Sequence, residues 1–334
     1  MVAFSTNGCR TALKIKESMP EHDFTVACKT SSDTLGIHNI DGKTKYWVKE
    51  RFGTSDAIVF IGAIGIAVRY IAPYIERKDK DPAVICLDEH GEYTIPILSG
   101  HIGGGNRLAN DIATAIGSKA IVTTATDING KLSIDTYATE NGLRINNLSI
   151  AKDVSARILD GGFVGFISHV PMSSPLADGL TPANDGKLGI CISYDSAEKP
   201  FERTLNLTPM DITIGIGCKR GTDPIKLERF IRSVLESKGI DPKRIASIRS
   251  IDLKNDEPAV LKLADVFDTK VIFHTSEELM SLSGDFSSSD FVKGITSVDC
   301  VCERAACMSG DPIVMKKYAH DGMTIALCKR EFTL

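Results

Sequence analysis

The chain lacks most of the signatures that would fix a function at sight. No Gly-x-x-x-x-Gly-Lys-Ser/Thr phosphate loop occurs, no Gly-x-Ser-x-Gly elbow, and no pair of histidines at helical spacing. Gly62-x-x-Gly65 and Gly215-x-Gly217 are only fragments of the dinucleotide fingerprint. There is no block of basic residues, and the net charge is −4, which disfavours a nucleic-acid partner. The longest nearly apolar run, Ala57 to Val68, falls short of the roughly 20 residues that cross a bilayer. The start, MVAFSTNG, shows no signal-peptide pattern, so the expectation is a cytoplasmic protein with no membrane partner. Nine scattered cysteines, an odd number often inside apolar segments, fit reduced thiols better than a disulfide framework. Cys300, Cys302 and Cys307 cluster, but without the two close pairs of a structural zinc site, so no metal ligands are assigned.

What is present is an alternation of strands and helices. With 334 residues, 43% apolar and 25% charged, two or three globular domains are expected. The organising stretch is Tyr93 to Gly117, YTIPILSGHIGGGNRLANDIATAIG. A β-favouring run ends at Ser99-Gly100-His101, three glycines follow (Gly103, Gly104, Gly105), and helical spacing starts at Asn106. Such a turn presents free amides at a helix N-terminus, which suits an anion. His101 adds a group that titrates near neutral pH.

Ala57 to Ile61 reads as a buried strand followed by a glycine turn, Gly62 to Gly65, and a helix carrying Arg69. Ala83 to Leu87 is a strand, and Asp88-Glu89-His90-Gly91 a hairpin-like turn into Tyr93. Ala120 to Thr123 is a further strand, ending in Thr124-Ala125-Thr126-Asp127. Alternation of this kind predicts an α/β fold, with open, mostly parallel sheets flanked by helices. In such sheets the carboxyl ends of strands share one edge, so the turns at Gly62, Ser99 and Thr124 are expected to converge there. Residues 1–129 are read as an N-terminal α/β domain, 130–208 as a smaller central region and linker, and 209–334 as a C-terminal α/β domain. Pro200 to Pro209 reads as linker. In the last domain Ile212 to Ile214 is a strand and Gly215 to Gly221 a turn, with Thr222 or Asp223 capping a helix. Lys219 and Arg220 make that turn suited to carboxylates, although two solvated cations on a tight turn fit the spacing slightly better.

Four blocks resemble one family, the cobalt-precorrin-5A hydrolases of anaerobic cobalamin (vitamin B12) biosynthesis. They are FIGAIGIAVRYIAP (Phe60 to Pro73), DPAVICLDEHGEYTIPILSGHIGGGNRLA (Asp81 to Ala109), TTATDING (Thr123 to Gly130), and GIGCKRGT (Gly215 to Thr222) with CERAACMSG (Cys302 to Gly310). Ile64 and Gly105 depart from the family's usual threonine and alanine. The resemblance implies a hydrolase that opens the δ-lactone of a ring-contracted cobalt tetrapyrrole and releases acetaldehyde. It implies no cofactor, because the cobalt belongs to the substrate. His101 is then the expected general base, Asp127 its orienting partner or the second proton carrier, and Ser99 an alternative nucleophile. The amides of Gly103 to Gly105 would meet the oxyanion. Gly62, Gly65, Arg69, Asn106, Arg107, Thr124, Thr126, Gly215, Gly217, Lys219 and Arg220 complete the expected substrate-binding set. A homodimer and transient contacts with neighbouring pathway enzymes are compatible with it. Two other readings stand beside it: a non-catalytic cobalt-corrinoid carrier and a dinucleotide-dependent oxidoreductase.

Overall fold

The computed structural model describes residues 1–77, 80–100, 103–128, 130–288, 294 and 296–334, with the side chains of Thr126 and Asp127 also outside the description. The chain forms two compact units, Met1–Tyr137 and Ala138–Leu334.

The first unit is built on a seven-stranded sheet. Its strands are β1 (Val2–Ala3), β2 (Ala27–Cys28), β3 (His38–Asn39), β4 (Ala57–Ile61), β5 (Ala83–Leu87), β6 (Tyr93–Leu98) and β7 (Lys119–Ala120), in the order β3-β2-β1-β4-β5-β6-β7. β4 and β5 are apolar and buried along almost their whole length, as central strands covered on both faces must be. Helices α1 (Thr6–Ser18) and α4 (Gly105–Ile116) cover one face, through Cys9, Ala12, Ile15, Ala109 and Ile112. Helices α2 (Thr44–Thr54) and α3 (Ile64–Ile71) cover the other, through Val48, Ala67 and Ile71. The chain moves outward from β1 to β3 and then returns to place β4 on the far side of β1. The strand order therefore reverses between β1 and β4, the arrangement that opens a crevice at their carboxyl ends.

β1 to β5 are parallel, but β6 runs antiparallel to β5, with Val84 opposite Leu98 and Leu87 opposite Thr94. β7 follows the direction of β6. The cause is local. Asp88 accepts from the amides of His90 and Tyr93, and Gly91 takes φ +70°, closing a hairpin. A tight hairpin joins only antiparallel strands. The expectation of one shared edge is thus corrected. Gly62 lies at the carboxyl edge of β4, whereas the turns after β6 and β7 lie at the opposite edge, beside the start of β5. Five residues of strand separate the two edges by roughly 16 Å.

The second unit carries two five-stranded sheets. In the first, β8 (Leu143–Ile145), β9 (Val164–Ser168), β10 (Leu180–Pro182), β11 (Leu188–Ile192) and β12 (Arg203–Pro209) take the order β10-β9-β11-β12-β8. Only β8 is antiparallel. The segment read as a linker, Pro200 to Pro209, contains β12, which is buried from Thr204 to Thr208 and pairs with β11 over five residues. Helix α5 (Ala125–Ile128) belongs to the first unit, α6 (Ile134–Glu140) crosses from one to the other, and α7 (Leu148–Leu159) packs on β12.

The second sheet has the order β15-β14-β13-β17-β16, from β13 (Ile212–Cys218), β14 (Ile245–Ile251), β15 (Lys270–His274), β16 (Ile313–His320) and β17 (Met323–Lys329). Helices α8 (Pro224–Ser237), α9 (Pro258–Phe267) and α10 (Ser276–Ser281) precede α11 (Val301–Cys307). Asp223 caps α8 by accepting from Ile225 and Lys226, with Pro224 in the first helical position, as the sequence indicates. The strand read as ending at Ile214 continues to Cys218. Gly215 is a contact point rather than a turn. A Cβ there would lie 1.9 Å from the Cys302 carbonyl oxygen and 2.6 Å from the Ala306 nitrogen, so only glycine lets α11 cross the strand.

Candidate functional site

The expected site residues fall into three places. At the carboxyl edge of the first sheet, Gly62 takes φ +153° and its amide donates to the Leu87 carbonyl at 2.8 Å. Gly65 lies in the first turn of α3, and the Arg69 guanidinium folds back to 3.7 Å from where a Gly65 Cβ would stand. Ile64 and Val68 of the same helix are exposed at 46% and 44%. Two side chains here were not singled out by the sequence. Ser5 caps α1, accepting from Gly8, and its hydroxyl donates to Glu89 at 2.5 Å. The pairing with Glu89, 84 residues away, has no local signal in the sequence. Cys86 donates to the Gly62 carbonyl at 3.3 Å, and burial, with Asp88 adding to it, pushes the thiol up to about 11. It stays protonated and is no nucleophile near neutral pH.

At the opposite edge, Ser99 is buried with φ +53°, and its hydroxyl donates to the Asp81 carbonyl at 2.9 Å. The hydroxyl offered as a nucleophile is committed to the backbone. The glycines that follow are required by packing. A Cβ on Gly100 would lie 2.6 Å from Asn106 Oδ1, and one on Gly103 would lie 2.5 Å from Ser99 Cβ. Gly104 takes φ +74° at the N-cap of α4. The Gly105 amide donates to the Ser99 carbonyl at 3.1 Å, so it is not free to meet an oxyanion. Asn106 is buried, and its Nδ2 donates to Thr124 Oγ1 at 3.0 Å. That bond ties the loop after β6 to the segment after β7, so these two of the three loops do meet. Thr126 and Asp127 follow on the backbone of α5, their side chains outside the description. His101 lies outside the described residues.

A cavity of about 500 Å³ opens beside this glycine loop. Gly103, Gly104 and Arg107 line it from the loop and α4, Trp47 and Arg51 from α2, and Asp56 from the start of β4. α4 is twelve residues long; its first two amides, of Gly105 and Asn106, donate to the Ser99 and Gly100 carbonyls at 3.1 and 2.8 Å, so the helix start is closed by its own loop and offers an anion only its dipole end. Arg107 is exposed, and Arg51 lies over the Trp47 ring at 5.9 Å with its Nε buried and unpaired. The lining thus sets two guanidiniums, Arg51 and Arg107, among three carboxylates, Asp23, Asp56 and Asp111, and Arg51 also pairs with Glu50 at 3.4 Å.

In the second unit, Gly217 lies inside β13 facing Thr324, whose Oγ1 would be 2.7 Å from an added Cβ. Neither it nor Gly215 forms a ligand loop. Arg220 donates from Nη1 to both Asp256 oxygens at 3.0 Å and from Nη2 to the Leu253 carbonyl at 3.1 Å. The Asp256 carboxylate raises the Arg220 pKa, and the guanidinium is satisfied by its own chain. Lys219 lies along Gly322. The thiols of Cys300 and Cys302 are 3.8 Å apart, and those of Cys307 and Cys328 are 3.4 Å apart. They are internal thiol pairs, with Cys300 at the start of α11.

Three family models match successive parts of the chain: Cobalamin synthesis G N-terminal over residues 46–127, Cobalamin biosynthesis central region over 132–209, and Cobalamin synthesis G C-terminus over 212–328. The cobalt-precorrin-5A hydrolase of Salmonella typhimurium is 32% identical over 306 residues, covering 87% of both chains. The chain belongs to the cobalt-precorrin-5A hydrolase family. The family member from Priestia megaterium is 25% identical over 350 residues, covering 98% of this chain and 93% of its own. A solved cobalamin biosynthesis protein G homolog from Sulfolobus solfataricus covers 98% of this chain and 96% of its own, at 24% identity and a TM-score of 0.45. Like its named relatives in the family, the chain is a hydrolase. The family's N-terminal match, 46–127, contains both the Gly62 turn and the Ser99–Asn106 loop, which stand at opposite edges of one sheet. Among the described residues, no helix is long and apolar enough to cross a membrane.

Proposed function

We propose that this hydrolase acts on cobalt-precorrin-5A, and that the cavity beside Gly103 and Arg107 holds the reacting lactone. The observation that carries the substrate is the 32% identity over 87% of the chain to a protein of that name. The cavity supports the site by its place beside the glycine loop, where Arg51 and Arg107 offer guanidiniums to the substrate's carboxylates alongside the lining aspartates Asp23, Asp56 and Asp111.

In this reading water attacks the lactone carbonyl. His101, two residues before Gly103, takes the water's proton, and Asp127 orients the imidazole or carries the second proton. The amides of Gly103 and Gly104 face the developing oxyanion, while the Gly105 amide holds the loop. The lactone C–O bond breaks, leaving the ring A acetate and an alcohol on the extruded two-carbon unit. Removal of the alcohol proton forms a C=O bond as the carbon–carbon bond to the ring breaks. Acetaldehyde leaves, the electron pair stays on the macrocycle, and the product is cobalt-precorrin-5B. Cobalt enters and leaves with the substrate. Direct attack by water is favoured over a Ser99 ester because the Ser99 hydroxyl is turned to Asp81. Arg69 stands at the other edge, Arg220 is held by Asp256, and Lys219 is carried by the second unit, so none is assigned a step.

Anaerobic incubation with the cobalt lactone tests the function. The expected result is stoichiometric acetaldehyde with a product that has gained water and lost C2H4O. Tight binding with the lactone left intact identifies a carrier instead and refutes the reading.

A further inference from the structure

Among the described residues, one group of three metal-ligand side chains converges: His169, Cys191 and Glu198. It stands in the second unit, whereas the residues lining the cavity belong to the first. Two come from the carboxyl ends of adjacent strands, β9 and β11, and the third from the loop after β11. His169 follows β9, and its amide continues the ladder by donating to the Ile192 carbonyl at 2.9 Å. Cys191 is the penultimate residue of β11, its side chain buried. Glu198 comes from the loop that leads to β12, and Asn206 Nδ2 donates to its carbonyl oxygen, holding that loop in place.

His169 Nε2 and Glu198 Oε1 are 2.7 Å apart, and all three ligand atoms lie within 4.8 Å of one another. Bond lengths of about 2.0–2.3 Å around zinc imply ligand separations of roughly 3.3–3.8 Å, so about 1 Å of adjustment would close the set. His169 and Glu198 are partly exposed and can move, which also leaves a path for the ion. We infer that His169, Cys191 and Glu198 form a site for one borderline divalent cation of the zinc or cobalt(II) type, with water in the fourth position.

The donor set is coherent. Imidazole, thiolate and carboxylate together suit such a cation and disfavour magnesium or calcium. On binding, the Cys191 thiol proton leaves to solvent, His169 coordinates through Nε2 with its proton on Nδ1, and the carboxylate of Glu198 completes three metal–ligand bonds. The residues lie 22 and 7 positions apart, a spacing that matches no sequence motif, which is why the sequence did not show them.

Titration of the metal-stripped full-length chain with Co2+, then Zn2+ competition, tests the site. One equivalent of Co2+ should bring a near-ultraviolet thiolate-to-cobalt charge-transfer band that Zn2+ abolishes. His169→Gln and Glu198→Gln, both at partly exposed positions, should each weaken binding by at least about tenfold, and Cys191→Ser should remove the band. Should Cys191→Ser not fold, the other two variants carry the test. Absence of a one-equivalent band, or a band that His169→Gln leaves unchanged, overturns the inference.

Discussion

Replacing Asp211 by alanine should destabilise the second unit by about 3–5 kcal/mol, the cost of stranding a buried partner charge. Asp211 is 1% exposed and Arg244 8% exposed. They form two parallel hydrogen bonds, Nε to Oδ1 at 2.9 Å and Nη2 to Oδ2 at 2.6 Å. Asp211 stands between β12 and β13, and its carbonyl accepts from the Arg330 amide. Arg244 leads into β14, and its guanidinium stacks 4.4 Å from the Tyr194 ring in the loop after β11. One ion pair therefore joins the two sheets of the unit. Removing the carboxylate leaves a guanidinium in a site with little water. The second unit's transition in a thermal melt should fall by roughly 6–20 °C. The double replacement Asp211→Ala with Arg244→Met should be milder than Asp211→Ala alone, since it leaves no buried charge. If the single variant melts within about 2 °C of the parent, the pair contributes little.

The second large effect is chemical. His101→Gln should lower acetaldehyde release by at least about 100-fold, because glutamine keeps hydrogen-bonding capacity but accepts no proton at neutral pH. The loss should appear in kcat, with KM nearly unchanged, since the reading places the imidazole on the attacking water and the carboxylates on Arg51 and Arg107. Unchanged acetaldehyde release from a folded His101→Gln variant would remove this residue from the mechanism.

Much of the α/β framework was legible in the sequence. β4 and β5 are continuous apolar runs, Asp223 announces a helix start, and the glycine turn before α4 is where its residues placed it. What failed was direction. The Asp88–Gly91 hairpin was visible, yet the strand after it was counted with the parallel set, and the hairpin reverses it. That single reversal moves Ser99, Asn106 and Thr124 away from Gly62. Gly215 and Gly217 misled for a different reason. Glycine permits a turn, but it also permits a helix to cross a strand at contact distance, and only tertiary packing distinguishes the two. β12 was hidden because Pro200 and Pro209 bracket it, although Thr204 to Thr208 are buried without alternation, as a central strand is. The pairing of Asn106 with Thr124 bears out the expectation that those two loops meet, and the contact requires α4 and β7 to lie side by side.

The measurement that decides between the two edges is a parallel kinetic comparison of Arg107→Ala and Arg69→Ala with the cobalt lactone. Both are exposed arginines of the first unit, one beside the cavity and one at the carboxyl edge of β4. Loss of a guanidinium–carboxylate contact at the cavity should raise KM by at least about tenfold for Arg107→Ala, while Arg69→Ala stays within about twofold of the parent. The opposite pattern, with Arg69→Ala impaired and Arg107→Ala unaffected, would place the reaction at the Gly62 edge and contradict the account.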